Sequence, residues 1–172
     1  MSKPSVEVRE FLRNIRERNR QFYSDPRGFG ALKDLQQTFP NPWLYVAELL
    51  QNAVDEKASR IVVLPQDEAS LIFEHDGSAF SAANVESLCM RGVSTKGAAT
   101  VGFMGIGFKS VFRSFERAEI SSGPWRFALT VANRKGHRFG DNQRDWIGAV
   151  LPEWDENVAA PTAGMNCRCL GG

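Results

Sequence analysis

The sequence predicts an α/β (α+β) fold: a two-layer sandwich in which a mixed, mainly antiparallel sheet is covered on one side by helices. Three observations carry this expectation. Residues 43–57 repeat apolar side chains at helical period, short β-like runs come in pairs around turn residues, and a glycine-rich segment opens a further helix. At 172 residues the chain is long enough to bury most of its apolar surface in one domain.

Composition narrows the function classes. The 21 basic and 20 acidic residues nearly cancel, which makes no overall case for nucleic acid or a membrane surface as partner. The N-terminus has no apolar core of signal-peptide type and no apolar run approaches a membrane span, so a cytoplasmic protein without membrane contact is expected. Three cysteines, Cys89, Cys167 and Cys169, are too few for a disulfide framework, which fits a reducing compartment. Cys167-x-Cys169 has no second cysteine pair and the chain holds only two histidines, so a zinc site is not expected.

Taken in order, Ser5 to about Tyr23 reads as an amphipathic helix with Val8, Phe11, Leu12, Ile15 and Phe22 on its apolar side. Its arginines, among them Arg9, Arg13 and Arg16, are interspersed with Glu7, Glu10 and Glu17, as on a solvated face. Asp25-Pro-Arg-Gly28 breaks it, and a shorter helix at Ala31–Thr38 leads into Pro40-Asn-Pro42. Asn41 and Pro42 then read as N-cap and first-turn proline of the central helix, Trp43–Lys57. At about 100° per residue, Trp43, Val46, Leu50, Ala53 and Val54 form its apolar stripe, while Glu48, Asn52 and Asp55 gather on the opposite side. That polar strip lacks the alternating lysine and arginine of a solvated helix, and its spacing suits a hard cation and an activated water.

Arg60–Leu64 and Ser70–Glu74 read as a hairpin around Pro65-Gln-Asp-Glu68, ending in the polar turn His75-Asp-Gly77. Ser81 caps a helix at about Ala82–Met90, and Arg91–Val101 is a small, polar loop. Gly102-Phe-Met-Gly-Ile-Gly-Phe-Lys-Ser110 opens a helix at Phe108–Phe115, with glycines that allow close approach and leave N–H groups free for an anion. Arg117–Ser121 and Trp125–Val131 form a second hairpin around Ser122-Gly-Pro124, and Ile147–Leu151 is expected as a further strand. From Pro152 the pattern decays, and Ala163–Gly172 reads as a frayed tail.

The glycine segment is not a Walker A box, because Phe108 separates Gly107 from Lys109-Ser110 and turns both away from where a P-loop needs them. A dinucleotide fingerprint from Gly105 fails as well, with Ser110 at the last glycine position. The informative signal is the ordered set: Glu-x-x-x-Asn on a helix, a strand ending in Asp-Gly, then Gly-x-x-Gly-x-Gly into a helix.

That ordered set resembles the GHKL superfamily of Bergerat-fold ATPases, which includes DNA gyrase, heat-shock chaperones of the ninety-kilodalton class, sensor histidine kinases and mismatch-repair ATPases. The stretch Arg91-Gly-Val-Ser-Thr-Lys96 is most similar to the sacsin-like and microrchidia-like branches. The resemblance spans about Trp43 to Ser122. It implies an N-terminal helical strap over residues 1–40, a nucleotide-binding domain over 41–155 and an irregular tail over 156–172. It also implies ATP and Mg²⁺ as cofactors, Glu48 as the general base for water, and Asn52 as the Mg²⁺ ligand. Gly102, Gly105, Gly107 and Phe108 would form the phosphate-binding segment, with Lys109 or Lys96 neutralising charge. Asp55 would line the site or pair with a base to hold the helix. The family aspartate that accepts the adenine amino group has two counterparts here: His75 when Gly77 is the anchor, or Asp76 when the turn is one residue tighter, with Asp76 slightly favoured.

Two departures stand out. The Gly-Thr pair and final strand of such domains are not recognised in Pro161-Thr-Ala-Gly-Met-Asn-Cys-Arg-Cys-Leu170, and the catalytic lysine or arginine usually supplied by a following domain is missing. The expectation is therefore a truncated version of a longer chain, in which binding survives where turnover does not. Three functions follow. The first is an ATPase whose lid near Arg91–Val101 closes and drives a partner or a homodimer joined through the N-terminal region. The second is a histidine-kinase catalytic domain, disfavoured because Glu48 is present. The third is a nucleotide-binding scaffold without chemistry. The protein or nucleic-acid client is not readable from the sequence.

Overall fold

The computed structural model describes residues 6–28, 43–67, 69–89, 107–131, 143–161 and 163–171. The expected helix Ala31–Thr38, the loop Arg91–Val101 with Lys96, and Gly102 and Gly105 lie outside the described residues.

Helix α1 spans Val6–Ser24 and buries Val8, Leu12, Ile15, Asn19 and Tyr23, one residue per turn along a single stripe. Phe22, expected on that stripe, lies at its edge and is 57% exposed. Asn19 takes an inward position because its amide has work there: Nδ2 donates to the carbonyls of Cys89 at 3.0 Å and Val150 at 2.6 Å. Val8, Leu12 and Ile15 belong to the same apolar cluster as the sheet, so the N-terminal helix shares the core of the fold.

Six strands form one sheet: β1 Ile61–Asp67, β2 Ser70–His75, β3 Arg117–Ser122, β4 Trp125–Thr130, β5 Glu153–Trp154 and β6 Met165–Leu170. Their order is β1-β2-β6-β3-β4-β5, and each described pair is antiparallel. Phe73, Cys167, Cys169, Ala118, Ile120, Phe127 and Leu129 point from the sheet into the core. Alternate positions such as Glu74, Arg168 and Glu119 face the other way, as a two-layer sandwich requires. The β3–β4 hairpin closes on Gly123, whose φ of +53° supplies the positive angle that a two-residue loop demands.

Two expectations are corrected. The frayed tail is in fact β6, hydrogen-bonded between β2 and β3: Cys167 stands opposite both Phe73 and Ile120. Met165, Cys167 and Cys169 alternate with Asn166 and Arg168, a period-two pattern in which cysteine acts as a small apolar residue. Ile147–Leu151 is not a strand. Gln143–Val150 forms a 3₁₀ helix, η2, that crosses the end of β4, where a Cβ on Gly148 would fall 1.7 Å from the Thr130 carbonyl oxygen.

Candidate functional site

The central helix, α2, spans Leu44–Asp55 and begins at Trp43; Asn41 and Pro42 lie outside the described residues. It is turned about a third of a turn from the expected orientation. Tyr45, Leu49, Asn52 and Ala53 are buried, whereas Trp43 is 68% and Val54 63% exposed. The physical reason is that the apolar arc of α2 is wider than half a turn, from Tyr45 round to Val54, so periodicity alone does not choose which part of it is buried. The consequence is chemical: Asn52 faces inward at 5% exposure, Glu48 stands half-buried beside it, and Asp55 remains outside. Asp55 accepts a hydrogen bond from Gln51 Nε2 at 3.0 Å.

The C-terminus of α2 is tied to the turn after β2. The N–H of Ala58 donates to the carbonyl of Ala53 and that of Lys57 to Val54, each at 2.9 Å, with Lys57 at a φ of 58°. This is a Schellman ending with lysine in the left-handed position. The free Glu56 carbonyl then accepts the Ser78 N–H at 3.0 Å, and Gly77 passes so close that a Cβ would lie 2.6 Å from the Glu56 oxygen. Gly164, at a φ of +49°, presses on the same turn from the start of β6, with room for no Cβ against the His75 and Gly77 carbonyls. No sequence motif singled out Gly164, though a glycine just before an alternating run is a signal for such a crossing.

The two residues that competed for the base-recognition slot have different environments. Asp76 is a brace: Oδ1 accepts the N–H groups of Ser59 and Arg60 at 2.8 Å each, and Oδ2 accepts the Ser59 hydroxyl at 2.7 Å. The Ser59 hydroxyl and these backbone donors hold its carboxyl down at about 2. His75 shares the core-facing side of β2 with Phe73, is 3% exposed, and accepts the Gly77 N–H on Nδ1 at 3.1 Å. Burial holds its ring below the ordinary imidazole range, against the pull of Glu56 and Asp76. Its Nε2 is buried without a hydrogen-bond partner among the described residues.

The described end of the glycine segment meets α2 directly. Gly107 opens η1 (Gly107–Arg113), a 3₁₀ helix where a helix at Phe108–Phe115 is expected, and lies against the Glu48 side chain. Burial raises the Glu48 carboxyl above its ordinary range. Phe108 is a core residue that meets Phe112 edge-on at 6.4 Å. Lys109 departs from its expected role: it is 1% exposed, and Nζ donates to the Leu88 carbonyl at the end of helix α3 (Ala82–Cys89). Burial pushes this amine down to about 8, and it caps a helix instead of facing a phosphate. Lys109 and Asn19 together thus hold the last two carbonyls of α3.

The cysteines are core residues. Burial pushes the Cys89 thiol up to about 12, and Cys167 and Cys169 lie side by side with sulfurs 3.8 Å apart. Among the described residues no three His, Cys, Asp or Glu side chains converge as a metal cluster, and no described helix is long and apolar enough to cross a membrane.

No protein-family model matches the chain. Protein NO VEIN of Arabidopsis thaliana is 30% identical to it over 123 residues, 68% of this chain but 4% of that protein, so the chain spans a small part of that relative. Among solved structures, the N-terminal domain of a DNA repair protein aligns at a TM-score of 0.48 and 16% identity, covering 90% of this chain and 38% of that one.

Proposed function

We propose that the chain is a nucleotide-binding domain of the GHKL type, which binds Mg²⁺-ATP between α2 and the glycine segment and hydrolyses it. The observation that carries this is the packing of Gly107 on Glu48: the described end of the glycine segment lies directly against the Glu48 side chain, which brings the carboxylate and the glycine backbone together. The residues present fit the ligand. Asn52 offers a hard amide oxygen from the inward side of α2, one turn from Glu48. A half-buried Glu48 with a raised carboxyl is a stronger base toward water than an exposed one. When bound, magnesium neutralises phosphate charge and makes the terminal phosphoryl group open to attack. Asp76 and Gly77 hold the end of β2 against the segment that follows α2.

Lid closure, a homodimer through the N-terminal region and a client driven by turnover are further parts of the proposal. One observation favours the second reading, a scaffold that binds without turnover: Lys109 is committed to Leu88 and so supplies no charge to a phosphate. Glu48→Ala separates the two. An ATPase keeps its nucleotide affinity in this variant and loses phosphate release; if parent and variant release phosphate at the same rate, Glu48 is not the base.

A further inference from the structure

Strand β1 is an edge of the sheet: among the described residues it pairs with β2 alone, and it lies opposite the β5 edge, beside which α1 packs. Backbone groups alternate in direction along an antiparallel strand. The Asp76 N–H donates to the Arg60 carbonyl at 3.2 Å, so Arg60, Val62 and Leu64 turn their backbone groups to β2. Ile61, Val63 and Pro65 then turn theirs outward, and the N–H that proline lacks falls on the free side, where it costs the β1–β2 ladder nothing. A bulge at Gln66 sets Asp67 opposite Ser70, on the outer face that Arg60, Val62 and Leu64 share. Proline and bulge confine the open edge to its first five positions, and within it Val63 and Leu64 are exposed.

We propose that β1 pairs antiparallel with β1 of a second copy of this chain, about a two-fold axis at Val63, which joins the two sheets into one. In that register the strand is its own complement. On the outer face Arg60 stands opposite Asp67 of the second copy and Val62 opposite Leu64, each pair repeated by the symmetry. On the other face Val63 meets Val63. The Val63 N–H donates to the Val63 carbonyl of the second copy, and the Ile61 N–H to the Pro65 carbonyl, which accepts although proline cannot donate. A shift of two residues either way sets Arg60 against Leu64 or Val62 against Asp67, so charge and apolar surface together fix the register. Asp67 already accepts the Ala69 N–H at 2.8 Å on Oδ1, and a carboxylate keeps capacity for a guanidinium. The contact does not depend on the nucleotide site. It is also distinct from a homodimer through the N-terminal region, because α1 packs at the opposite edge.

The test is sedimentation equilibrium of the 172-residue chain over a range of concentrations, without nucleotide. The parent should pass reversibly from one chain mass to two. Arg60→Asp should weaken dimerisation about tenfold or more, because like charges then face each other in both symmetry-related pairs, and Asp67→Arg should do the same. The double variant reverses each ion pair and should return to within about threefold of the parental constant. Val63→Pro removes an outward N–H without touching the β1–β2 ladder and should abolish the dimer, with a thermal melt to check the fold. A parent that keeps one chain mass at every concentration would overturn the proposal and give the edge to an extended segment of a different protein. A dimer indifferent to Arg60→Asp, or a double variant as weak as the single ones, would overturn it too. The charge variants alter exposed side chains, so they decide the matter even if Val63→Pro does not fold.

Discussion

Gly107 lies under Glu48 so closely that a Cβ there would fall 2.0 Å from Glu48 Cγ and 2.5 Å from Oε1. The contact joins two segments more than fifty residues apart in sequence, and it makes the glycine a requirement of shape at this point. Gly107→Ala should therefore displace the Glu48 side chain at a cost of about 1–3 kcal/mol from overpacking. A carboxylate moved by about an ångström should lose roughly a hundredfold in phosphate release. Urea melts and a phosphate-release assay check both; parental stability and turnover in Gly107→Ala would show that the contact does not matter.

Asp76 sets an acid limit. Its carboxyl lies at about 2 in the folded chain, below the ordinary 3.8, because the Ser59 hydroxyl and the Ser59 and Arg60 N–H groups hold the ionised form. A carboxylate depressed by folding contributes stability that is complete above about 3.8 and lost as pH falls through about 2. Asp76→Asn should lower the melting temperature at pH 7, and the gap between parent and variant should close between those two values. A gap that is the same at pH 7 and at pH 2 would remove the brace from the account.

Much of the fold was legible because local chemistry and tertiary packing agree. The hairpins β1–β2 and β3–β4 carry β-branched or aromatic residues and explicit turn residues, so the limits of β2, β3 and β4 read from the sequence fall close to those observed, whereas β1 runs on through Pro65, Gln66 and Asp67, which read as the hairpin loop. Where the reading failed, the signal was degenerate. The apolar arc of helix α2 is wider than half a turn, so only its neighbours decide that Tyr45 and Leu49 go in and Trp43 and Val54 stay out. Ile147–Leu151 is a short apolar run of the kind that suits strand and helix alike. In β6 the alternation is present but written in cysteine, a residue type that serves equally as metal ligand and as small core residue. At the candidate site, the positions of Glu48, Asn52, His75 and Gly77 follow motif order. The inward commitment of Lys109 and the hydrogen bonds of Asp76 are tertiary facts without a local signature.

The interior position of β6 makes its own prediction. Ending the chain at Pro161 removes the strand that joins β2 to β3 and uncovers Phe73 and Ile120 together. A sheet divided in this way loses its common core, so the shortened chain should show no cooperative thermal transition. A cooperative melt near the parental temperature would mean that β2 and β3 find each other without β6.

The most direct measurement is calorimetric titration of ATP into the 172-residue chain with and without Mg²⁺, repeated for Asn52→Ala. A magnesium nucleotide held at the inward side of α2 predicts saturable binding in Mg²⁺ that weakens about tenfold or more when either the metal or the Asn52 amide is removed. No binding by the unaltered chain, or binding that ignores both the metal and Asn52, would contradict it.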